Sequence, residues 1–142
     1  MKKKTNILFI CKYNRFRSRV AASYLKKINK RLKIKSAGLI KGRPLDKNQI
    51  NSAKKLDIKI KGKPNGLSTK ILKQADLIII VADDVPKSIF INNNYVKKLL
   101  IWKIPDAKSN NKKEVKGLIK SIIKQVDKLN KQLQNSKWKQ KM

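Results

Sequence analysis

The chain has a single cysteine, and it lies in a segment rich in basic residues. Cys11 follows the apolar run ILFI. Lys12 and Arg15 come after it, and Arg17 and Ser18 end the segment. Positive charge stabilises the thiolate, which is the nucleophilic form of cysteine. A guanidinium can hold two phosphate oxygens at once. The segment therefore indicates a nucleophile directed at a phosphate, although a small buried cysteine after a strand is the alternative.

The residues between Cys11 and Ser18 have the length of an oxyanion-binding loop. Its backbone N–H groups can surround one tetrahedral anion, and a helix that begins near Arg17 adds its positive N-terminal end. Asn14 tolerates the left-handed backbone that such a loop needs. Ser18 can donate its hydroxyl to the thiolate or cap the helix. The predicted phosphate-binding residues are Lys12, Tyr13, Asn14, Arg15, Phe16, Arg17 and Ser18.

Composition limits the remaining chemistry. One cysteine rules out an internal disulfide, and a chain without histidine has neither a Cys–His pair nor the usual zinc ligands. Acids and bases must therefore be Asp, Glu, Lys, Tyr or Cys, and we expect neither a metal nor a cofactor. With 142 residues, the chain suits one domain, predicted over 1–136, with a basic tail over 137–142.

Charge and hydropathy indicate the surroundings of the protein. No apolar run approaches the roughly 20 residues of a membrane span, and MKKKTNILFI is typical of a first strand rather than a signal peptide. We therefore expect a cytoplasmic protein without a membrane partner. The net charge of +30 attracts nucleic acids non-specifically. Because the lysines are spread along the whole chain, a bias in coding composition is the alternative.

Hydrophobic periodicity predicts strands that alternate with helices. The predicted strands cover residues 5–10, 33–37, 77–82 and 97–104. The predicted helices cover residues 18–32, 45–56, 68–73 and 115–133. This order favours an α/β three-layer sandwich, with a four-stranded parallel sheet, helices on both faces and the phosphate-binding loop after strand 1. Ligands of such sheets bind at the carboxyl ends of the strands, where Cys11 and Asp106 are both expected.

Several motifs, in order, resemble those of the low-molecular-weight protein tyrosine phosphatase family, which is related to thioredoxin-coupled arsenate reductases. They are ILFICKYNRFRS, SAG at 36–38, GRP at 42–44, ADLIIIVAD at 75–83 and WKIPDA at 102–107. The resemblance implies a phosphatase that forms a cysteinyl-phosphate on Cys11, with Arg17 holding the phosphate and Asp106 as general acid. It implies a phosphorylated protein or a small phosphomonoester as substrate. Asp106 is alternatively a turn residue, and Asp83 and Asp84 are alternative acids or simple strand-end residues.

The chain departs from the family pattern at the loop. Tyr13 replaces a glycine, Phe16 replaces a frequent second cysteine, and Ala107 replaces the proline after the acid. Since the loop amides face the anion, the side chains of Lys12 and Arg15 are expected to point outward, whereas Tyr13 and Phe16 either rim the pocket or pack against a neighbouring loop. Two other functions are compatible with the sequence: an arsenate reductase that uses an external thiol, and a non-enzymatic protein that binds phosphate or polyanions.

Overall fold

The central sheet has four parallel strands in the order β2-β1-β3-β4. The computed structural model describes residues 4–40, 44–91, 93–94, 96–108 and 110–134. The strands are β1 (Asn6–Cys11), β2 (Lys33–Gly38), β3 (Leu77–Val81) and β4 (Leu99–Trp102). Every residue of β3 is buried, as expected for a central strand covered on both faces. The predicted parallel sheet is confirmed.

In the described part of the chain, five helices connect and follow the strands. They are α1 (Arg17–Ile28), α2 (Lys47–Lys55), α3 (Thr69–Gln74), α4 (Ser88–Ile91) and α5 (Lys112–Gln134). The prediction extended the first helix to residue 32, but α1 ends at Ile28 because Asn29 adopts extended dihedral angles. Ser68 caps α3 by accepting a hydrogen bond from the Ile71 N–H, at 3.2 Å. No sequence pattern predicted α4, since four residues are too few to show a helical period.

Two separate cores lie on opposite faces of the sheet. Alternate side chains of a strand point to opposite faces, so Ile7 and Phe9 of β1 join one core while Leu8 and Ile10 join the other. The first core is closed by α1, α2 and α5, and the second by α3 and α4. Helices therefore cover both faces, which confirms the predicted three-layer sandwich.

One glycine at the end of β2 lets the loop after β1 pack closely. Gly38 pairs with Cys11 in the parallel register. A Cβ atom at Gly38 would lie 2.5 Å from the backbone carbon of Tyr13 and 2.6 Å from the Asn14 nitrogen. Such distances leave no room for a side chain, so the glycine of the SAG motif is required by packing.

Other expectations concern the chain ends and the membrane. The predicted tail 137–142 and the domain boundary at 136 lie outside the described residues, as do two residues of the GRP motif.

Among the helices in the described part of the chain, none has the length and apolar character to cross a membrane.

Candidate active site

The loop between β1 and α1 carries the predicted nucleophile. Cys11 is the last residue of β1 and only 2% of it is exposed. Helix α1 begins at Arg17, and its N-cap Phe16 offers no side-chain hydrogen bond to the first turn. Amides at a helix start that no side chain caps are free to bind an anion. Ser18 lies inside α1, so its alternative role as the helix cap is wrong.

A buried asparagine holds the loop in shape. Asn14 is fully buried and has a φ of 55°, so the predicted left-handed backbone is confirmed. Its side-chain amide donates to the hydroxyls of Ser18 at 2.8 Å and Ser36 at 3.0 Å. Its carbonyl oxygen accepts from the backbone N–H of Asn65 at 2.8 Å. One side chain thus joins the loop to α1, to β2 and to the segment before α3.

The Ser18 hydroxyl also contacts the thiol. The Oγ of Ser18 lies 3.0 Å from the Sγ of Cys11. Because Ser18 accepts a hydrogen bond from Asn14, its own hydrogen is available to the sulfur. Either group can donate in this contact, and a thiolate at Cys11 could only accept.

Arg17 is held by groups at the carboxyl edge of the sheet. Its side chain is only 4% exposed. Nη1 donates to the carbonyl of Ile104 at 2.9 Å, and Nη2 donates to both carboxylate oxygens of Asp84, at 3.0 and 3.2 Å. Asp83 lies 3.7 Å away. The two acidic residues after β3 are therefore partners of Arg17, a role that no sequence pattern indicated.

A second arginine lies behind the loop. Arg19 is buried, and its guanidinium donates to the carbonyls of Lys61, Gly62 and Lys63. Burial lowers the pKa of Arg19 below its ordinary value, while the negative charge of Cys11 acts in the opposite direction. Arginine nevertheless stays charged in proteins, so Arg19 adds to the positive field around Cys11.

Asp106 is held more loosely. It is exposed, and its Oδ1 accepts a hydrogen bond from the N–H of the next residue, Ala107, at 3.0 Å. Ala107 and Ile104 are buried in the core on either side of it. A proline at position 107 would lack this N–H, so the departure from the family pattern has a structural consequence.

One pocket brings the predicted catalytic residues together. Its volume is about 260 Å³, including space open to solvent. It is lined by Cys11, Tyr13, Arg15, Phe16, Arg17, Gln49 and Asp106. Of these, only Gln49 was missed, because it comes from α2 and no pattern in the sequence links that helix to the loop.

The remaining loop side chains divide between the pocket and its surroundings. Arg15 does not point away as expected; it lines the pocket and pairs with Asp46 at 3.4 Å. Phe16 lines the pocket and also belongs to the buried core. The Lys12 ammonium lies 5.4 Å from the centre of the Tyr13 ring, a cation–π contact.

Comparison with solved structures defines the fold class. An arginine phosphatase, YwlE, from Geobacillus stearothermophilus superposes with a TM-score of 0.78 at 19% identity, covering 92% of this chain and 93% of that one. A low molecular weight protein tyrosine phosphatase from T. tengcongensis gives 0.78 at 23% identity, over 90% and 99% of the two chains. An arsenate reductase from Archaeoglobus fulgidus gives 0.70 at 23% identity, over 87% and 97%. All share the α/β fold described above.

The family follows from the sequence model that the chain matches. Residues 6–139 match the family described as low molecular weight phosphotyrosine protein phosphatase. The chain belongs to this family, and membership supports a phosphatase that acts as a hydrolase. A comparison with curated protein sequences gave no significant match.

Proposed function

We propose that the protein is a cysteine-dependent phosphomonoester phosphatase, with Cys11 as nucleophile. One observation carries this proposal: the Cys11 sulfur, 3.0 Å from the Ser18 hydroxyl, opens into the pocket that Arg17 and Asp106 also line. The side chains proposed as nucleophile, anion-binding group and acid thus line a single small pocket. This is the minimum set for transfer of a phosphoryl group to a side chain.

In the first step, the Cys11 thiolate attacks phosphorus in line with the ester bond. The S–P bond forms as the P–O bond to the leaving group breaks. Asp106, in its protonated form, gives its proton to the departing oxygen. Its exposed position at the mouth of the pocket suits contact with a leaving group, which faces solvent while the phosphate lies on the loop.

In the second step, water attacks the phosphorus of the cysteinyl-phosphate. Asp106, now a carboxylate, accepts a proton from that water. The P–S bond breaks, inorganic phosphate leaves and the thiolate returns. The Ser18 hydroxyl stabilises the departing thiolate by a hydrogen bond, and Asn14 orients that hydroxyl.

Arg17 and the loop amides act in both steps. Charge on the equatorial oxygens is balanced by donors that are already in place, which avoids reorganisation during the reaction. Asp84 and the Ile104 carbonyl occupy part of the Arg17 guanidinium, and its remaining N–H groups serve the phosphate. A guanidinium with fixed orientation loses little freedom on binding.

The substrate is a phosphorylated protein or a small phosphomonoester. The family supports phosphotyrosine as one candidate, while one structural relative is an arginine phosphatase by name. The positive charge of Arg15 in the pocket wall repels a leaving group that carries a guanidinium. The pocket therefore favours phosphate bonded to an ester oxygen over phosphate bonded to a guanidinium nitrogen. We place the enzyme in the cytoplasm, where thiols stay reduced.

The decisive experiment measures phosphate release from p-nitrophenyl phosphate by the purified chain. We expect turnover by the unchanged protein, none by Cys11→Ser, and unchanged turnover by Ser121→Ala, which alters an exposed position on α5. Circular dichroism establishes that each variant is folded. A folded, reduced sample that releases no phosphate from aryl phosphates would rule out the proposal, and arsenate reduction with an added thiol would then favour the alternative.

A further inference from the structure

Two residues that line the Cys11 pocket each have a buried polar atom without a hydrogen-bond partner among the described residues. Gln49 is only 5% exposed, and its Oε1 accepts no hydrogen bond from any residue that the structure describes. The Nε–H of Arg15 is likewise buried and finds no acceptor within the described residues. Both residues line the pocket that contains Cys11. Buried polar groups are rarely left unpaired in proteins, so these two are candidates for contact with a ligand.

The start of α2 fixes both residues against the phosphate-binding loop. Asp46 caps α2 by accepting hydrogen bonds at its Oδ1 from the N–H groups of Asn48, at 2.9 Å, and Gln49, at 3.2 Å. Its other oxygen, Oδ2, accepts from Nη2 of Arg15 at 3.4 Å. One carboxylate therefore orients the helix turn that carries Gln49 and the guanidinium of Arg15, which makes the pair a built feature of the pocket.

The unpaired atoms define the chemistry of the group they fit. Arg15 offers a donor, and Gln49 offers an acceptor. A second anion would suit Arg15 but meet the carbonyl oxygen of Gln49, while an ammonium group would suit Gln49 but meet the charges of Arg15 and Arg17. An apolar group would leave both atoms unpaired. A hydroxyl accepts one hydrogen bond and donates another, so it satisfies both kinds of atom.

We propose that Arg15 and Gln49 form a subsite for a hydroxyl group of the leaving group, close to the ester oxygen. The enzyme then prefers hydroxylated phosphomonoesters, such as polyol or sugar phosphates, over matched esters without the hydroxyl. This inference rests on the proposed phosphatase function. The subsite shares one pocket with Cys11 and Asp106, so the hydroxyl it recognises is on a carbon near the phosphate.

A matched pair of aryl phosphates tests the subsite. The two substrates are 2-hydroxyphenyl phosphate and 2-methylphenyl phosphate, which differ in whether the group beside the ester can donate and accept a hydrogen bond. The measured quantity is the ratio of their kcat/KM values in each protein. We expect the unchanged chain to favour the hydroxyl ester about 2- to 12-fold more strongly than a variant without the contact, the range for one neutral hydrogen bond.

Two variants remove the contact in different ways. Gln49→Met keeps the length of the side chain and removes its acceptor, and Arg15→Lys keeps the charge and removes Nε. We expect both to lower the ratio, while the exposed Ser121→Ala keeps the ratio of the unchanged chain. The ratio is internal to each protein, so partial unfolding of a variant cancels from it.

The outcomes separate this inference from the function on which it rests. If both esters are cleaved and the ratio is the same in the unchanged chain and both variants, the two atoms bind only water and the subsite is overturned. If the variants instead slow cleavage of a phosphotyrosine peptide and leave the ratio of the two esters unchanged, the two buried atoms bind a peptide amide. That result also overturns the hydroxyl subsite. If no ester is cleaved by a folded sample, the phosphatase function itself fails, and the subsite with it.

Discussion

The phosphate-binding loop and the segment that carries Asp106 are held in very different ways. Asn14 and Arg17 are buried and bonded to side chains or carbonyls from other elements of the fold. Asp106 is exposed, and its carboxylate bonds to its own neighbour. The groups proposed to bind the anion are therefore fixed before substrate arrives, whereas the group proposed to move the proton is tethered mainly through its backbone. Changes to the loop should cost stability and activity together, while changes at Asp106 should cost activity alone.

Substitution of Arg17 should give the largest effect among the variants that keep the nucleophile. Arg17→Lys retains the charge but cannot form bidentate hydrogen bonds to phosphate, so we expect kcat/KM to fall about 10³-fold. The variant also loses hydrogen bonds to Asp84 and Ile104, so its melting temperature should fall. Steady-state kinetics and thermal unfolding measure the two effects. Full activity in Arg17→Lys would show that the loop amides suffice for phosphate binding.

Substitution of Asp106 should affect activity without affecting stability. Asp106→Asn cannot give or accept the proton, and we expect kcat to fall about 10²-fold for aryl esters. The exposed side chain packs against little, so the melting temperature should stay within about 1 °C of the unchanged protein, consistent with a surface substitution. The lost activity should be greater for alkyl esters, whose leaving oxygen needs the proton more. An equal loss for both ester classes would argue against Asp106 as the general acid.

The Asp84 carboxylate provides a way to loosen Arg17 without replacing it. Asp84→Asn weakens the two hydrogen bonds from Nη2, and we expect kcat/KM to fall about 10- to 100-fold, the range for a hydrogen bond to a charged group. A positioning role predicts weaker binding of inorganic phosphate as well. Asp83→Asn is the matched control, because Asp83 lies farther from Arg17, at 3.7 Å. Equal losses in the two variants would point to general charge rather than position.

The smallest effect is expected at Ser18. Ser18→Ala removes the hydroxyl that contacts the sulfur, which should slow breakdown of the cysteinyl-phosphate about 2- to 12-fold. Formation of the intermediate should change less, so a burst of released leaving group should appear before steady state. Stopped-flow measurement with p-nitrophenyl phosphate detects it. A variant slowed in its first step, with no burst, would remove Ser18 from the second step.

The same contrast separates what the sequence could predict from what it could not. The apolar runs and their periods predicted the parallel sheet, and the spacing from Cys11 to Arg17 predicted the loop, including the left-handed Asn14. These features are local, since each depends on neighbouring residues. The partners of the site are not local: Asp84 is 67 residues from Arg17, and Gln49 comes from another helix. Only the folded sheet edge brings Asp84 to Arg17, and only the packing of α2 brings Gln49 to the pocket.

The most direct test of the central claim is to trap the covalent intermediate. Asp106→Asn, mixed with an aryl phosphate and quenched within milliseconds, should carry one phosphoryl group on the peptide that contains Cys11, as read by mass spectrometry. The double variant Cys11→Ala, Asp106→Asn should carry none. A phosphoryl group on another residue, or turnover that persists in Cys11→Ala, would contradict the account.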